Sequence, residues 1–193
     1  MPAKKAIMLV IMLLAMLVFL FALSGCVQSP VPVTEFSQGA GEGQEKLQEA
    51  DLSANAKITA ALYFANESGE KLVKEERSIE TAEGDISVII LEELIKGPLT
   101  PGLNRTVPAG VKVLGVSVNN GIAAVDFSEE IRTRHWGGST GEILTVYSIV
   151  NTLTELPEIE QVRFLIEGEE IETLTGHLDL SQPVYPDEGL IKN

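Results

Sequence analysis

Two histidines, one cysteine and one tryptophan are the scarce side chains of this 193-residue sequence. Neither His135 nor His177 belongs to an H-x-x-x-H or C-x-x-C spacing, so a transition-metal site would have to be completed by carboxylates. Both read as polar surface residues, and neither a metal nor a cofactor is expected. Ser139 follows Gly137-Gly138, but Gly138-Ser139-Thr140-Gly141 lacks the G-x-S-x-G spacing of a nucleophile elbow. The serine fits a helix cap better. Ser139-Thr140-Gly141-Glu142 matches a capping box, in which the serine meets the N3 amide and the glutamate reaches back to the cap amide. The same glycine-rich approach could seat a phosphate at a helix N-terminus, yet Glu142 stands where a P-loop places lysine. The acidic groups Glu75-Glu76, Glu129-Glu130 and Glu167 with Glu169, Glu170 and Glu172 lack the regular oxygen ligands of a calcium loop, and are expected to be solvated faces. No catalytic constellation emerges, and the chain is not expected to be an enzyme.

The segment Ile131 to Gly138 is different in kind. It groups Arg132, Arg134 and His135 with Trp136, the only tryptophan, in an otherwise acidic chain. Tryptophan and arginine are the residues most enriched in interface hot spots. Two readings stand side by side: the four residues form a docking patch, or Trp136 folds back as a lid over the core while the arginines pair with Glu129 or Glu130.

Cys26 carries the other chemistry. An uninterrupted apolar run from Ala6 to Leu23 follows Lys4 and Lys5 and ends Leu23-Ser24-Gly25-Cys26, which resembles the lipobox of bacterial lipoproteins. Two small residues let the chain enter a peptidase in extended form, and with no second cysteine an internal disulfide is excluded. The resemblance implies a signal peptide over residues 1–25, cleavage before Cys26, and lipid on that residue. The run is close to the roughly 17–25 residues that cross a bilayer, so an uncleaved helix is the alternative. Either way the remaining chain faces outward, because positive charge stays on the cytoplasmic side.

Fourteen basic residues stand against 28 acidic ones, a net charge of −14. Such a body opposes nonspecific contact with nucleic acid or anionic headgroups, both of which select clustered lysine and arginine. Membrane attachment is therefore expected through lipid, at the extracytoplasmic face of the bacterial cell membrane. From Val27 to about Ala56, proline, serine, glycine, glutamine and glutamate dominate; residues 26–56 read as a flexible tether.

The elements that must position the Trp136 loop begin at Lys57. Ile58 to Phe64 and Leu72 to Ile79 read as a hairpin around a turn containing Asn66, Ser68 and Gly69. Asp85 caps a helix that Gly97-Pro98 ends. Val111 to Val118 and Ile122 to Phe127 flank Asn119-Asn120-Gly121, and the Asn-Gly pair suits a turn with positive φ at both central residues. Ile143, Val146, Tyr147, Val150 and Leu153 recur at helical spacing until Pro157, and Val162, Phe164 and Ile166 alternate as a last strand. The sequons at Asn66 and Asn104 read as turn chemistry. The order ββαββαβ predicts an α+β two-layer sandwich, a mainly antiparallel sheet with two helices on one face, over residues 57–186, with 187–193 as a tail.

Four phrases in register carry a family resemblance: Leu94-Ile95-Lys96-Gly97-Pro98, Val107-Pro108-Ala109-Gly110-Val111, Asn120 to Ser128, and Ile149 to Glu155. Together with Val162 to Gly168 and Thr175-Gly176-His177, they resemble the GerMN domain of spore-germination and envelope lipoproteins. The resemblance implies a compact α+β module used for contacts with an envelope protein or with copies of itself rather than for catalysis. The competing expectation is a lipoprotein that captures a small molecule or a cell-wall fragment, which needs a cleft lined with aromatics. With aromatic residues at 5%, such a cleft is hard to build.

Overall fold

A computed structural model describes residues 56–81 and 84–192. The segment read as a signal peptide, Cys26, and all but the last residue of the segment read as a tether lie outside the described residues. Strand β1 (Ala56–Ala65) and strand β2 (Leu72–Thr81) pair antiparallel, with Ala65 opposite Leu72. Asn66 closes their turn: its Oδ1 accepts the amides of Glu70 and Lys71 at 2.9 and 3.2 Å, while Gly69 takes a φ of 68°. Helix α1 (Ile86–Lys96) starts at Asp85, whose carboxylate accepts the Ser87 amide at 2.8 Å, so one orphan N–H of the first turn is satisfied. Gly97, with a φ of 90°, ends it before Pro98.

Strands β3 (Val113–Asn119) and β4 (Ile122–Phe127) are joined by Asn120-Gly121, at φ 50° and 79°. Two positive φ values match the right-handed twist of the flanking strands, which is why Asn-Gly is selected there. A single turn, α2 (Glu130–Thr133), leads into helix α3 (Ser139–Leu153), strand β5 (Gln161–Ile166) and the two-residue strand β6 (Glu169–Glu170).

The α+β class expected from the sequence is present. The strands divide into two sheets, the β1-β2 hairpin and a second sheet in the order β3-β4-β5-β6. The second sheet is antiparallel except at β4-β5, which pair parallel because the chain crosses over through α3 between them. Alternation in β4 and β5 buries Ala123, Val125 and Phe127 beside Val162, Phe164 and Ile166. Those residues share one core with Leu62 and Phe64 of β1, Ile90, Leu91 and Leu94 of α1, and Ile149, Val150 and Leu153 of α3. The Phe127 and Phe164 rings stack at 6.4 Å.

Helix α3 touches β1 of one sheet and β5 of the other, so it is buried around most of its circumference. Its polar residues need partners inside the protein. Thr152 Oγ1 accepts the Tyr63 amide at 3.1 Å, and Asn151 exchanges hydrogen bonds with the backbone of Asp187 at 3.0 and 3.2 Å. The second contact fastens the region read as a tail. Asp187 accepts the Gly189 amide in a 3₁₀ turn (Glu188–Leu190), and the Lys192 amide donates to Leu72 at 2.7 Å. Leu190 and Ile191 then pack on Tyr63, Ala65, Leu72 and Leu144.

Two local expectations are corrected. The capping box does not form: Gly138, at φ 81°, is the N-cap, no side chain caps the helix, and Ser139 is already helical. Glu142 instead turns away from the cap into the interior. The pair Glu75-Glu76 is split by strand alternation, so Glu76 is exposed while Glu75 is buried with Arg77. Glu75 accepts the amides of Leu99 and Thr100 at 3.0 and 2.8 Å as well as Arg77 Nη2. Arg77 in turn donates to the carbonyls of Glu93 and Gly97, each at 2.9 Å, and lies over the Phe64 ring. Strand β2 is thereby stapled to the end of α1. Among the described residues, no helix is long and apolar enough to cross a membrane.

Candidate interaction surface

The residues singled out between α2 and α3 are held by separate anchors. Arg132 reaches the Leu174 carbonyl at 3.4 Å and lies 3.7 Å from Glu129, an exposed pair worth little by itself. Arg134 donates to the Ala109 carbonyl at 3.2 Å, and its guanidinium occupies the space that a Cβ on Gly110 would need. Gly110 has a φ of 85°, so that position excludes a side chain on both counts. The two arginines therefore clamp the loop to the 107–111 and 173–177 segments instead of converging on one patch.

His135 and Trp136 do come together. His135 is half-buried: its Nδ1 accepts the Gly137 amide at 2.9 Å, so Nε2 carries the proton of the neutral ring. Nε2 then donates to Thr145 Oγ1 at 3.0 Å, and that hydroxyl donates to the Thr106 carbonyl at 2.6 Å. Burial pushes the imidazole below its ordinary pKa, against the opposing pull of Glu142. A neutral, tautomer-locked histidine is the result, consistent with protonation at Nδ1 costing the Gly137 bond. The Trp136 indole stacks on this ring at 5.1 Å with planes inclined by 23°. Its other neighbour is Gly141, where a Cβ would fall 2.8 Å from the indole nitrogen. Trp136 thus rests across the first turn of α3, and it stays 53% exposed. It is not a core lid.

Beside the indole runs a largely apolar cleft of about 260 Å³, floored by Ala65 and Leu144 and bordered by Asn104, Thr106 and Thr140. The β1-β2 turn forms its rim through Gly69, and Asn104 holds that rim by pairing with Ala65 and donating to the Asn66 carbonyl at 2.9 Å. Of the two sequon asparagines, Asn66 is a turn residue as expected, whereas Asn104 sits in an isolated β-bridge with Ala65 and braces that turn from outside.

Glu142 is the site-shaping residue that the sequence reading placed incorrectly. It is fully buried, and its two carboxylate oxygens accept five hydrogen bonds of 2.8–3.0 Å, from the amides of Leu174, Thr175 and His177 and the hydroxyls of Thr173 and Thr175. Burial by itself would raise its pKa. The donors outweigh it and hold the carboxyl down at about 2. A helix-start glutamate met far downstream by Thr-Leu-Thr-Gly-His is the only sequence trace of this contact. His177 is exposed and takes part through its backbone.

Comparison with known proteins follows the same lines. The family profile described as Germane, sporulation and spore germination, matches residues 61–172. Among solved structures, the tandem GerMN domains of the sporulation protein GerM from Bacillus subtilis match with a TM-score of 0.59 and 23% identity, over 67% of this chain and 46% of that one. The first GerMN domain of the same protein matches with a TM-score of 0.54 and 22% identity, over 66% of this chain and 97% of that one. The chain thus spans about half the length of the tandem protein, the extent of one domain. No curated protein matches. The profile match covers more than half of the chain, and the chain belongs to the Germane family of sporulation and spore-germination domains.

Proposed function

We propose that this protein is an extracytoplasmic interaction module of the bacterial envelope, held at the cell membrane by lipid on Cys26 and docking an envelope protein or a copy of itself. The observation that carries this reading is Trp136, half-exposed yet stacked on His135 and seated against Gly141. An exposed indole already fixed in position gives up little conformational entropy on binding, which is what an interface anchor requires. Arg132 and Arg134 support it by fixing the loop. The Leu23-Ser24-Gly25-Cys26 motif supports the anchor, and membership of a sporulation and germination family supports an envelope setting.

In-cell photocrosslinking from position 136, with mass spectrometry of the adducts, tests the docking surface. The expected product is a stoichiometric protein adduct. Adducts only to glycan or to a small molecule would favour ligand capture in the cleft beside Trp136, the second reading. Release of the Cys26→Ser chain from the membrane fraction tests the anchor, and retention of that variant would overturn it.

A further inference from the structure

Two edges close the four-stranded sheet, and they differ in kind. The β6 edge is Glu169-Glu170, which repels a copy of itself, as protected edges do. The β3 edge carries no charge at all: no charged side chain lies between Lys112 and Asp126, in a chain of net charge −14. Among the described residues, strand β3 pairs with β4 alone. Asn119 and Ile122 flank a two-residue turn and form a hydrogen-bonded pair, so the next such pair is Ser117 with Ala124. The amides and carbonyls of Val116 and Val118 therefore point away from β4, out of the sheet. Leu114 and Val118, 48% and 41% exposed, are two of the five large apolar residues exposed among those described, and they stand symmetrically on either side of Val116. Beside them Gly115 opens onto empty space, and Leu114, the bulged residue between Val113 and Gly115, has no Cα partner in the β3-β4 register.

We infer that the β3 edge pairs antiparallel with the β3 edge of a second copy of this chain, about a twofold axis at Val116. This rests on the reading of the protein as an interaction module and names one of its partners. The strand is its own complement: with Val116 opposite itself, Leu114 of each copy meets Val118 of the other, and the outward backbone groups of Val116 are matched in register. Like-charge repulsion, which an acidic body of this size meets over most of its surface, is absent along this edge. The two four-stranded sheets would join into one of eight strands.

The test is cysteine crosslinking of the full-length chain in membranes under mild oxidation. Val116→Cys places two thiols on residues whose Cα atoms are about 5.5 Å apart, within disulfide reach. Asn119→Cys, on the same strand and exposed, lies roughly 20 Å from its copy in this register and serves as control. The unsubstituted chain sets the background from Cys26. A dimer with Val116→Cys and none with Asn119→Cys is expected; equal yields, or no dimer, overturn the inference. Adding Val118→Lys to Val116→Cys should lower the dimer yield about tenfold, and adding Leu114→Glu as well should restore it, because the new acid faces the new base only across the axis. Failure of that restoration also overturns the register. Thermal melting of each variant confirms that the fold survives. An adduct from position 136 in the absence of a Val116 disulfide would sink the β3 pairing and leave the module reading standing.

Discussion

The amide and the hydroxyl of Thr175 both donate to the carboxylate of Glu142, at 3.0 and 2.8 Å, across 33 residues of sequence. This contact ties the start of α3 to the segment after β6, and Trp136 rests on the same turn of helix. The glutamate therefore supports the candidate surface without forming part of it.

Replacing Glu142 with glutamine puts an NH₂ group where donors already crowd. Unmet buried donors cost roughly 1–3 kcal/mol each site, so Glu142→Gln should lose about 3 kcal/mol in urea unfolding.

Acid should act through the same group. Its folded pKa lies at about 2, below the ordinary glutamate value of 4.5, so its contribution is fully present above the unfolded pKa and is lost as pH falls from about 4.5 toward 2. His135, also lowered, works on the alkaline side of that window: the folded state holds it neutral, and stability declines as pH drops below the ordinary histidine range. Melting temperature should fall in two steps between pH 7 and pH 2, and His135→Gln should remove the upper one.

Gly141→Ala separates helix energetics from indole placement. Alanine favours a helix over glycine by about 1 kcal/mol, so stability should not fall. The new Cβ would meet the indole at 2.8 Å and displace it. Because Trp136 is the only tryptophan, its emission should shift to longer wavelength in Gly141→Ala with the melting temperature kept or raised.

Trp136→Ala should cost no more than about 1 kcal/mol, since half of the side chain is already in water. Loss of the position-136 partner with the fold intact is the expected pair of results. A loss of several kcal/mol would instead make the residue part of the core.

Arg77→Ala should be the most damaging of these substitutions. Arg77 and Glu75 are both buried, and burial alone would raise the pKa of Glu75; Arg77 and the amides of Thr100 and Leu99 hold it below the usual value. Removing the guanidinium strands a buried carboxylate, at a cost of about 3–5 kcal/mol. Double substitution with Glu75→Gln should recover part of that loss in denaturant unfolding, because the unpaired charge is then gone.

Elements with a local cause were legible in the sequence. Asp85 caps α1 through its own next-but-one amide, Gly97-Pro98 ends it, and Asn120-Gly121 turns β3 into β4, all within a few residues of chain. The alternation in β4 and β5 and the helical spacing of Ile143 to Leu153 likewise needed no distant partner to be read. Three of the four family phrases lay in those same elements and Val107 to Val111 in the loop before β3, which is why the Germane match could be expected. Of the candidate surface, the identity of the loop was visible and its posture was not.

What the sequence by itself determined is the order of elements, the α+β class and the concentration of arginine, histidine and tryptophan before α3. Only the tertiary structure decided which way Glu142, Glu75 and Arg77 point, that the last residues return to β2, and that Trp136 lies outside the core on His135 and Gly141. The physical reason is range. Caps, turns and strand alternation act between neighbours in sequence, whereas a buried charge goes to whichever donors the packed chain brings to it, and those of Glu142 come from residues 173–177.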